Sequence, residues 1–280
     1  MKLKKNAPLE NLLTLKIKDS ACDLYIPDTI DDVVRFTSEN ESFHILGGGS
    51  NIIAGKLKKP VIYMSGIIGT SNTEDISENA VKTFMPGGIS INRLLDYSIK
   101  NGLSGVEFMA GIPGTVGGAL AGNAAPAEHT WDDVAGALYI VSKGAVSMLI
   151  PKYGYRKLIN APEDPFIIYG VDLILIKDTT ENVRQRVMYY LSKRLRITEP
   201  SAGSLFKNPE NDFAGKLLDE AGLKGFRVND AALSSDHANI VVNKGSGCYE
   251  DFCELRDTAI KKVYELHKIK LETEVKFWDE

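Results

Sequence analysis

Apolar residues recur along the chain with two periods, one typical of helices and the other typical of strands. Helical spacing predicts helices at 28–39, 90–102, 179–198, 211–222 and 248–268. Alternating or continuous apolar runs predict strands at 13–26, 42–46, 80–86, 166–176, 237–243 and 271–278, and a hairpin over 134–150. These elements are mixed without a regular β–α–β alternation, so the predicted fold class is α+β.

Several helix ends are marked by residues that satisfy free backbone groups. Thr29 and Asp32 have the spacing of a capping pair at 28–39, and either Thr179 or Thr180 can begin 179–198. Ser90 and Gly102 are suited to begin and end the helix 90–102. A domain boundary is predicted near Pro200, where proline interrupts the helical pattern.

Two glycine-rich segments interrupt the pattern, LGGGSNII at 46–53 and a longer one at 102–126. The longer segment has too much glycine for a core helix or strand and too little charge for a surface loop. Glycine allows backbone to approach a ligand closely, so the two segments are predicted to form two walls of one cofactor site. Ordinary tight turns are the alternative interpretation. The first segment lacks the third glycine and the following helix of a Rossmann fingerprint, but its N–H groups can still bind a pyrophosphate.

Composition limits the classes of protein to consider. The chain has 280 residues, 44% hydrophobic and 25% charged, with a net charge of −4. These values are typical of a soluble globular protein and disfavour a nucleic-acid-binding one. The three cysteines lack the spacing of a metal site, so no metal is predicted and a reducing cytoplasm is expected. Neither a signal peptide nor an apolar run long enough to span a membrane is found in the sequence, so no membrane association is predicted.

Seven motifs, in this order, carry a resemblance to a known family. They are LGGGSNII, GLSGVEFMAGIPGTVGGALAGNA, the pair Tyr155-Arg156, PSAGSLFKNP, AGKLLDEAGLKGFRV, HANIVVNKG and LETEVKF. Together they resemble the UDP-N-acetylenolpyruvoylglucosamine reductases (MurB), flavoenzymes of peptidoglycan synthesis. The resemblance extends from about Asn6 to Phe277, and GIPGTVGG and GSLFKNP are its most specific parts.

The resemblance implies a fold and a domain organisation. A two-part FAD-binding domain of the vanillyl-alcohol-oxidase type is expected at 1–198, split near 66–80, and a C-terminal α+β substrate domain at 199–280. The short chain resembles the compact subtype, which lacks an inserted loop over the substrate. The resemblance further implies non-covalent FAD, NADPH as co-substrate and a UDP-sugar substrate, and a monomer in the cytoplasm is expected.

The reaction of the family implies three catalytic residues. NADPH reduces FAD, hydride passes from FAD to C3 of the enolpyruvyl group, and a proton is added at C2. By resemblance, Ser204 is the proton donor, Arg156 binds the substrate carboxylate and Glu274 acts with the arginine on the enolate. The alternatives are a turn serine, a solvated arginine and a glutamate on the wet face of a strand. Glu272 is the neighbouring carboxylate that a test must distinguish from Glu274.

Further residues are expected to contact ligands. Residues of the two glycine-rich segments, together with one asparagine, are assigned to the cofactor: Gly47, Gly48, Gly49, Ser50, Asn51, Gly111, Ile112, Pro113, Gly114, Thr115, Gly117, Gly118 and Asn123. Tyr155, Lys207 and Asn208 are assigned to the substrate, and the alternative for the last two is a pair of polar residues that anchors the loop. His237 is interpreted as structural.

Three segments depart from the family pattern. KIKDSACD replaces a Gly-Gly-Pro-like segment at 16–23, and AAPAEHT replaces a Gly-Ala-Tyr-Gly run at 124–130. Lys157-Leu158 replaces Asp-Ser after the arginine, which removes polar partners that could orient Arg156. Three functions remain open at this stage: the reductase, a flavin oxidoreductase with another substrate, and a nucleotide-binding relative without turnover.

Overall fold

The structure is a computed structural model that describes residues 1–66, 71–126 and 128–279, and the chain divides into two compact units. The first unit comprises Met1–Leu3, Tyr25–Gly48 and Val61–Leu195, and the second comprises Lys4–Leu24, Gly49–Pro60 and Arg196–Glu280. The domain boundary after 198 and the split near 66–80 stay predictions. Residues 67–70 of that split, and Ala127 in the departing segment 124–130, lie outside the described residues.

The regular elements of the described residues include strands of two to eleven residues and six α-helices. The strands are β1 (Lys2–Pro8), β2 (Ala21–Ile26), β3 (His44–Leu46), β4 (Ile52–Ala54), β5 (Val61–Tyr63), β6 (Asn72–Asp75), β7 (Ala80–Pro86), β8 (Leu103–Ser104), β9 (Ala135–Ser142), β10 (Ala145–Leu149), β11 (Tyr153–Gly154), β12 (Lys157–Leu158), β13 (Ile167–Lys177), β14 (Ser201–Ser204), β15 (Arg227–Val228), β16 (Ala231–Leu233), β17 (Ile240–Asn243) and β18 (Lys276–Trp278). The helices are α1 (Ile30–Glu39), α2 (Ile91–Asn101), α3 (Val116–Ala121), α4 (Thr180–Ser192), α5 (Ala214–Glu220) and α6 (Tyr249–His267).

The predicted helix caps are confirmed by hydrogen bonds from backbone N–H groups to side-chain oxygens. Thr29 caps α1, Ser90 caps α2 and Thr179, rather than Thr180, caps α4. Gly102 ends α2 in the left-handed region at φ 61°, where glycine pays no steric penalty. The prediction was too long for α4, which ends at Ser192 because shorter turn bonds from the next two N–H groups replace the helical ones.

Four predicted segments have a different structure. Residues 116–121, predicted to be non-helical, form α3, and residues 201–204, predicted to be loop, form β14. Residues 13–17 make turns instead of a strand, although their alternating Leu13, Leu15 and Ile17 are fully buried. Residues 271–275 lie outside the last strand, which covers only 276–278.

The first unit is built on an antiparallel sheet with the strand order β10-β9-β13-β7-β6, and β8 pairs with the end of β13. Its main core lies between this sheet and α2, α3 and α4, and includes the fully buried Trp131. A smaller core surrounds Phe36 of α1. The hairpin 134–150 is confirmed, with Lys143 and Gly144 at positive φ in its two-residue turn.

The second unit contains a sheet with the order β14-β17-β16-β15 and a parallel pair of β4 with β18. Its core is formed by apolar residues of α5, α6 and these strands, together with Leu15 and Ile17. The apolar residues of 13–17 therefore fill a core without joining a sheet. Through β4 and β18, the segment after the first glycine turn lies beside the C-terminal LETEVKF segment.

Candidate active site

Ser204 is the last residue of β14, where it lies half-buried opposite Ile240 of β17. The residue before it, Gly203, has φ 76°, and an added Cβ there would meet no atom within 4 Å. Glycine is therefore required for the backbone conformation and not for space. The pairing of β14 with β17 shifts register between Ser201 and Ser204, around this left-handed residue.

The buried side chain of Asn239 holds the segment that follows Ser204. Its Nδ2 donates to the Phe206 carbonyl at 2.8 Å, and its Oδ1 accepts from the Phe206 N–H at 3.0 Å. The Asn239 carbonyl accepts from the N–H of Leu205 at 2.7 Å. Because Asn239 is only 4% exposed, these bonds are shielded from competing water, and they fix the peptide groups next to the serine.

Glu274 is connected to the same peptide. Its N–H donates to the Leu205 carbonyl at 2.9 Å, and Thr273 forms a β-bridge with Phe206. The Glu274 carbonyl accepts from Nδ2 of Asn51 at 3.2 Å. Two of the three predicted catalytic residues, Ser204 and Glu274, are therefore brought together within the second unit by backbone hydrogen bonds.

The side chains of Lys207, Asn208 and Glu272 have partners in the protein. Lys207 donates from Nζ to Glu272 at 3.2 Å and from its N–H to the Glu272 carbonyl at 2.9 Å. Asn208 accepts from the N–H of Ala214 at 3.0 Å, at the first turn of α5. These contacts match the loop-anchoring alternative for both residues, and their contact with substrate stays a prediction.

Arg156 lies in the first unit, in the two-residue turn between β11 and β12. Its backbone has φ 55°, and its Nη1 donates to the carbonyl of Ala125 at 3.2 Å. Its guanidinium carbon lies 5.8 Å from the ring centre of Tyr155, which is 58% exposed. The expected loss of orienting partners at 157–158 is therefore offset by a carbonyl from the other departing segment, 124–130.

Both ends of the Asn123 side-chain amide are hydrogen-bonded. Its Nδ2 donates to the Gly154 carbonyl at 3.1 Å, and its Oδ1 accepts from Thr130 Oγ1 at 3.2 Å and from the Trp131 N–H at 3.1 Å. Its φ of 43° lies in the left-handed region, which asparagine tolerates better than most residues. The predicted flavin contact of this residue stays a prediction, and the observed contacts are all within the protein.

The first glycine turn packs directly on the second glycine-rich segment. A Cβ on Gly48 would lie 2.6 Å from the Cα of Gly114, and one on Gly47 would lie 2.6 Å from Thr115 Oγ1. A Cβ on Gly117 would lie 2.9 Å from the Ile168 carbonyl oxygen. Close backbone packing therefore already requires glycine at 48 and 117, and the contact of these residues with a cofactor stays a prediction.

The two segments differ in the N–H groups that they offer to an anion. In the second segment, four N–H groups already donate to acceptors within the protein: those of Ile112, Val116, Gly117 and Gly118. In the first turn, the N–H groups of Gly48 and Gly49 are not hydrogen-bonded to any described residue. Because Gly49 has φ 65°, the turn can present consecutive N–H groups to an anionic group. The first turn thus fits a pyrophosphate better than the second segment does.

Arg194, just after α4, supports the start of the second glycine-rich segment. Its guanidinium donates from Nε to the Ala110 carbonyl and from Nη2 to the Phe108 carbonyl, each at 2.9 Å. Burial lowers the pKa of Arg194 from its usual value. Gly111 packs against the same side chain, since its Cβ would lie 2.7 Å from Cγ of Arg194. The arginine thus fixes the backbone on which the GIPG turn begins.

Comparison with known proteins agrees with this arrangement. Residues 193–278 match the family model of the UDP-N-acetylenolpyruvoylglucosamine reductase C-terminal domain, and residues 26–148 match that of an FAD binding domain. The chain is 33% identical over 294 residues to the UDP-N-acetylenolpyruvoylglucosamine reductase of Desulfosudis oleivorans, which covers 98% of this chain and 94% of that protein. The chain belongs to the family of UDP-N-acetylenolpyruvoylglucosamine reductases.

Other members of the reductase family show similar coverage. The protein with that name from Alkalilimnicola ehrlichii is 35% identical over 264 residues, which cover 90% of this chain and 86% of that protein. The crystal structure of the reductase (MurB) from Thermus caldophilus superimposes with a TM-score of 0.82 at 29% identity, covering 99% of each chain. The predicted α+β class, with an FAD-binding domain of the vanillyl-alcohol-oxidase type, is confirmed.

Four residues support the site through contacts that were not predicted from the sequence. Asn239 lies in the HANIVVN motif, in which only His237 was interpreted, and Ala125 supports the site through its carbonyl. Asn51 is predicted to contact the cofactor, which stays a prediction, and its amide also donates to the Glu274 carbonyl. The available signal for Asn239 was its place in the predicted apolar strand 237–243, because an amide buried there needs partners. No sequence signal indicated the role of Arg194.

Among the described residues, no helix combines the length and apolar character needed to cross a bilayer.

Proposed function

We propose that this protein uses NADPH and FAD to reduce the enolpyruvyl ether of UDP-N-acetylglucosamine to the lactyl ether, which gives UDP-N-acetylmuramate. The family membership supports the reaction. The single observation that supports the proposal at the site is the hydrogen bond from the Glu274 N–H to the Leu205 carbonyl. Leu205 directly follows Ser204, so this bond holds the two proposed catalytic residues on neighbouring backbone.

The cofactor fits two features of the glycine-rich segments. The turn at Gly48 and Gly49 offers N–H groups to a pyrophosphate, and Arg194 fixes the carbonyls that precede Gly111. FAD, when bound, supplies hydride transfer from NADPH to C3 of the substrate. The rest of the chemistry is supplied by protein side chains, which must bind the carboxylate and deliver one proton to C2.

Ser204 supplies the proton in this proposal. Negative charge that develops at C2 and in the adjacent carboxylate makes the substrate carbon basic enough to take a proton from a hydroxyl. The serine must then be reprotonated before the next turnover. A positioned proton donor contributes about 10²–10⁴-fold to a rate, provided that its oxygen is held in place. The bonds from Asn239 and Glu274 to the adjacent peptides support this role, because they fix the backbone that follows the serine.

Arg156 and Glu274 act on the carboxylate and the enolate. Arginine stays charged and binds a carboxylate through two parallel N–H groups, so it stabilises the negative charge that develops during the reaction. The bond to Ala125 orients the guanidinium before substrate binds. Glu274 is the third proposed catalytic residue, and its carboxylate exchanges protons near the enolate.

The reaction is tested by the consumption of NADPH. Purified protein is expected to contain FAD and to oxidise NADPH only when the UDP-enolpyruvyl sugar is present, with a product heavier by two hydrogen atoms. NADPH oxidation with another enolpyruvyl or carbonyl substrate, and none with this one, would indicate a different flavin oxidoreductase. Protein without flavin and without NADPH oxidation would indicate a nucleotide-binding relative.

We further propose that the protein acts in the cytoplasm as a monomer. The proposed substrates, NADPH and a UDP-sugar, are cytoplasmic metabolites, which supports this location. Cell fractionation with a specific antibody tests the location. Size-exclusion chromatography with light scattering tests the monomer, and a mass near 61 kDa, twice the 30.7 kDa of the chain, would indicate a dimer.

A further inference from the structure

Asn123 and Arg156 belong to two segments of the first unit that are joined by a pair of hydrogen bonds. Asn123 donates to the carbonyl of Gly154, and Arg156 donates to the carbonyl of Ala125. The partners are thus two residues apart in each segment. Such a two-bond ladder restrains both the position of the β11–β12 hairpin and the direction of the Arg156 side chain.

The Asn123 side of this ladder is rigidly held. The Ala124 N–H donates to the Ala119 carbonyl at the end of α3, and Nε1 of the fully buried Trp131 donates to the Ala124 carbonyl. Oδ1 of Asn123 accepts two further bonds from the 130–131 segment. The amide nitrogen that reaches Gly154 therefore belongs to a side chain with little freedom to move.

The hairpin side is anchored in the core and exposed at its tip. Tyr153 and Leu158 pair across the hairpin and pack into the main core of the unit. Tyr155 and Arg156 form the turn itself, with Arg156 at φ 55°. A short hairpin that is held at its base needs a further contact near the turn to fix its tip, and the Gly154 carbonyl receives that contact.

We propose that Asn123 is a positioning residue for Arg156, and that it holds the hairpin so that the guanidinium meets the substrate carboxylate. The inference rests on the proposed role of Arg156. It differs from the predicted contact of Asn123 with the flavin, because all observed bonds of its amide lead to the hairpin and to the segment 130–131.

Asn123→Asp tests the proposal, because it replaces only the side-chain NH2 donor by an oxygen. Aspartate tolerates positive φ and keeps an oxygen for Thr130 and Trp131, but it cannot donate to the Gly154 carbonyl. Asn6→Asp is the matched control, since Asn6 is exposed and has a similar φ of 47°. If Asn123→Asp folds poorly, Asn123→Gly accepts the same backbone conformation and removes the whole side chain.

The readout is the preference of the protein for a ligand with a carboxylate. Dissociation constants are measured for the enolpyruvyl substrate, in the absence of NADPH, and for UDP-N-acetylglucosamine, which lacks the carboxylate. Asn123→Asp is expected to weaken binding of the enolpyruvyl substrate by roughly 10- to 100-fold, with little change for UDP-N-acetylglucosamine. The dissociation constant of FAD from the apoprotein is expected to change by less than about 3-fold.

Arg156→Ala, measured beside these variants, separates two kinds of failure. If Arg156→Ala leaves the ligand preference unchanged, the proposed role of Arg156 is wrong. If Arg156→Ala removes the preference but Asn123→Asp and Asn123→Gly keep it, the positioning role of Asn123 is wrong. A large loss of FAD affinity in Asn123→Asp with an intact ligand preference would instead assign the residue to the flavin. The double variant is expected to resemble Arg156→Ala alone.

Discussion

The carboxamide of Asn239 binds both backbone groups of Phe206, its Nδ2 at 2.8 Å from the carbonyl oxygen and its Oδ1 at 3.0 Å from the nitrogen. A buried asparagine thus replaces the strand that would otherwise pair with this part of the chain. Since Ser204 lies two residues before Phe206, the stability of this segment and the position of the proposed proton donor depend on the same side chain.

Asn239→Ala is expected to lower the free energy of unfolding by about 2–4 kcal/mol, because it leaves two buried backbone groups without partners. Urea denaturation measures this change. Asn101→Ala is the control, since Asn101 makes one exposed side-chain bond to the Tyr97 carbonyl, and a loss below about 0.5 kcal/mol is expected for it. Equal losses for the two variants would show that the Asn239 bonds contribute little.

Gly117→Ala is expected to destabilise the protein even without flavin. The added methyl group would lie 2.9 Å from the Ile168 carbonyl oxygen, and overpacking of this kind costs about 1–3 kcal/mol. Thermal unfolding of the apoprotein measures the loss. Gly122→Ala is the control, because its nearest atom would be at 3.7 Å and its φ is −102°. If the Gly117→Ala apoprotein is as stable as the wild type, packing does not explain this glycine, and contact with a ligand becomes the explanation.

The predictability of the fold differs between the helices and the glycine-rich segment for a physical reason. The ends of α2 were predictable because Ser90 and Gly102 act on neighbouring backbone groups, which a local pattern reveals. The helix α3 was missed because Gly117 and Gly118 have low helix propensity. Packing of Gly117 against the Ile168 carbonyl, distant in sequence, compensates for that low propensity.

The candidate site could be predicted from sequence only in its motif residues. Ser204 and Glu274 were found through the GSLFKNP and LETEVKF motifs, but the link between them passes through the backbone of Leu205. A backbone hydrogen bond does not require a particular amino acid, so it cannot be recognised in the sequence. The Ala125 carbonyl that orients Arg156 was missed for the same reason, since any residue at that position has a carbonyl.

Asp178 is expected to make folding stability depend on pH in the acid range. Hydrogen bonds from Arg186, first, and from Asn182 lower the pKa of Asp178 to about 2. A carboxyl group with a lowered pKa in the folded state stabilises the protein above its unfolded pKa of 3.8 and loses this contribution as pH falls toward 2. Asp178→Asn should therefore flatten the fall of stability between pH 4 and pH 2. Urea unfolding across this range measures the slope, and an unchanged slope would contradict the expectation.

Glu274→Gln is expected to slow oxidation of the reduced flavin by substrate far more than Glu272→Gln. The Glu274 backbone is bonded to Leu205 beside Ser204, whereas the Glu272 side chain is 77% exposed and pairs with Lys207. An exposed ion pair contributes about 0–1 kcal/mol, so its loss should change little. Stopped-flow absorbance of the flavin compares the two variants, which differ from wild type by the same chemical change. Equal rates would remove Glu274 from the mechanism.

Ser204→Ala is expected to separate the two halves of the catalytic cycle. Reduction of the flavin by NADPH needs no proton at a substrate carbon, so its rate should stay near that of the wild type. Oxidation of the reduced flavin by the enolpyruvyl substrate needs a proton at C2, and its rate should fall by at least about 10²–10⁴-fold. Stopped-flow absorbance measures both halves on one sample.

Substrate binding provides the control for Ser204→Ala. The hydroxyl is proposed to act in the transition state, so the dissociation constant of the substrate should change little while turnover falls. Gly203 and the Asn239 bonds hold the backbone here without using the serine side chain, so the alanine variant should keep the wild-type free energy of unfolding within about 0.5 kcal/mol. Ser204→Cys should recover part of the rate, because a thiol can also donate a proton. If the alanine variant reacts with substrate at the wild-type rate, the proton comes from another group, and a bound water becomes the next donor to test.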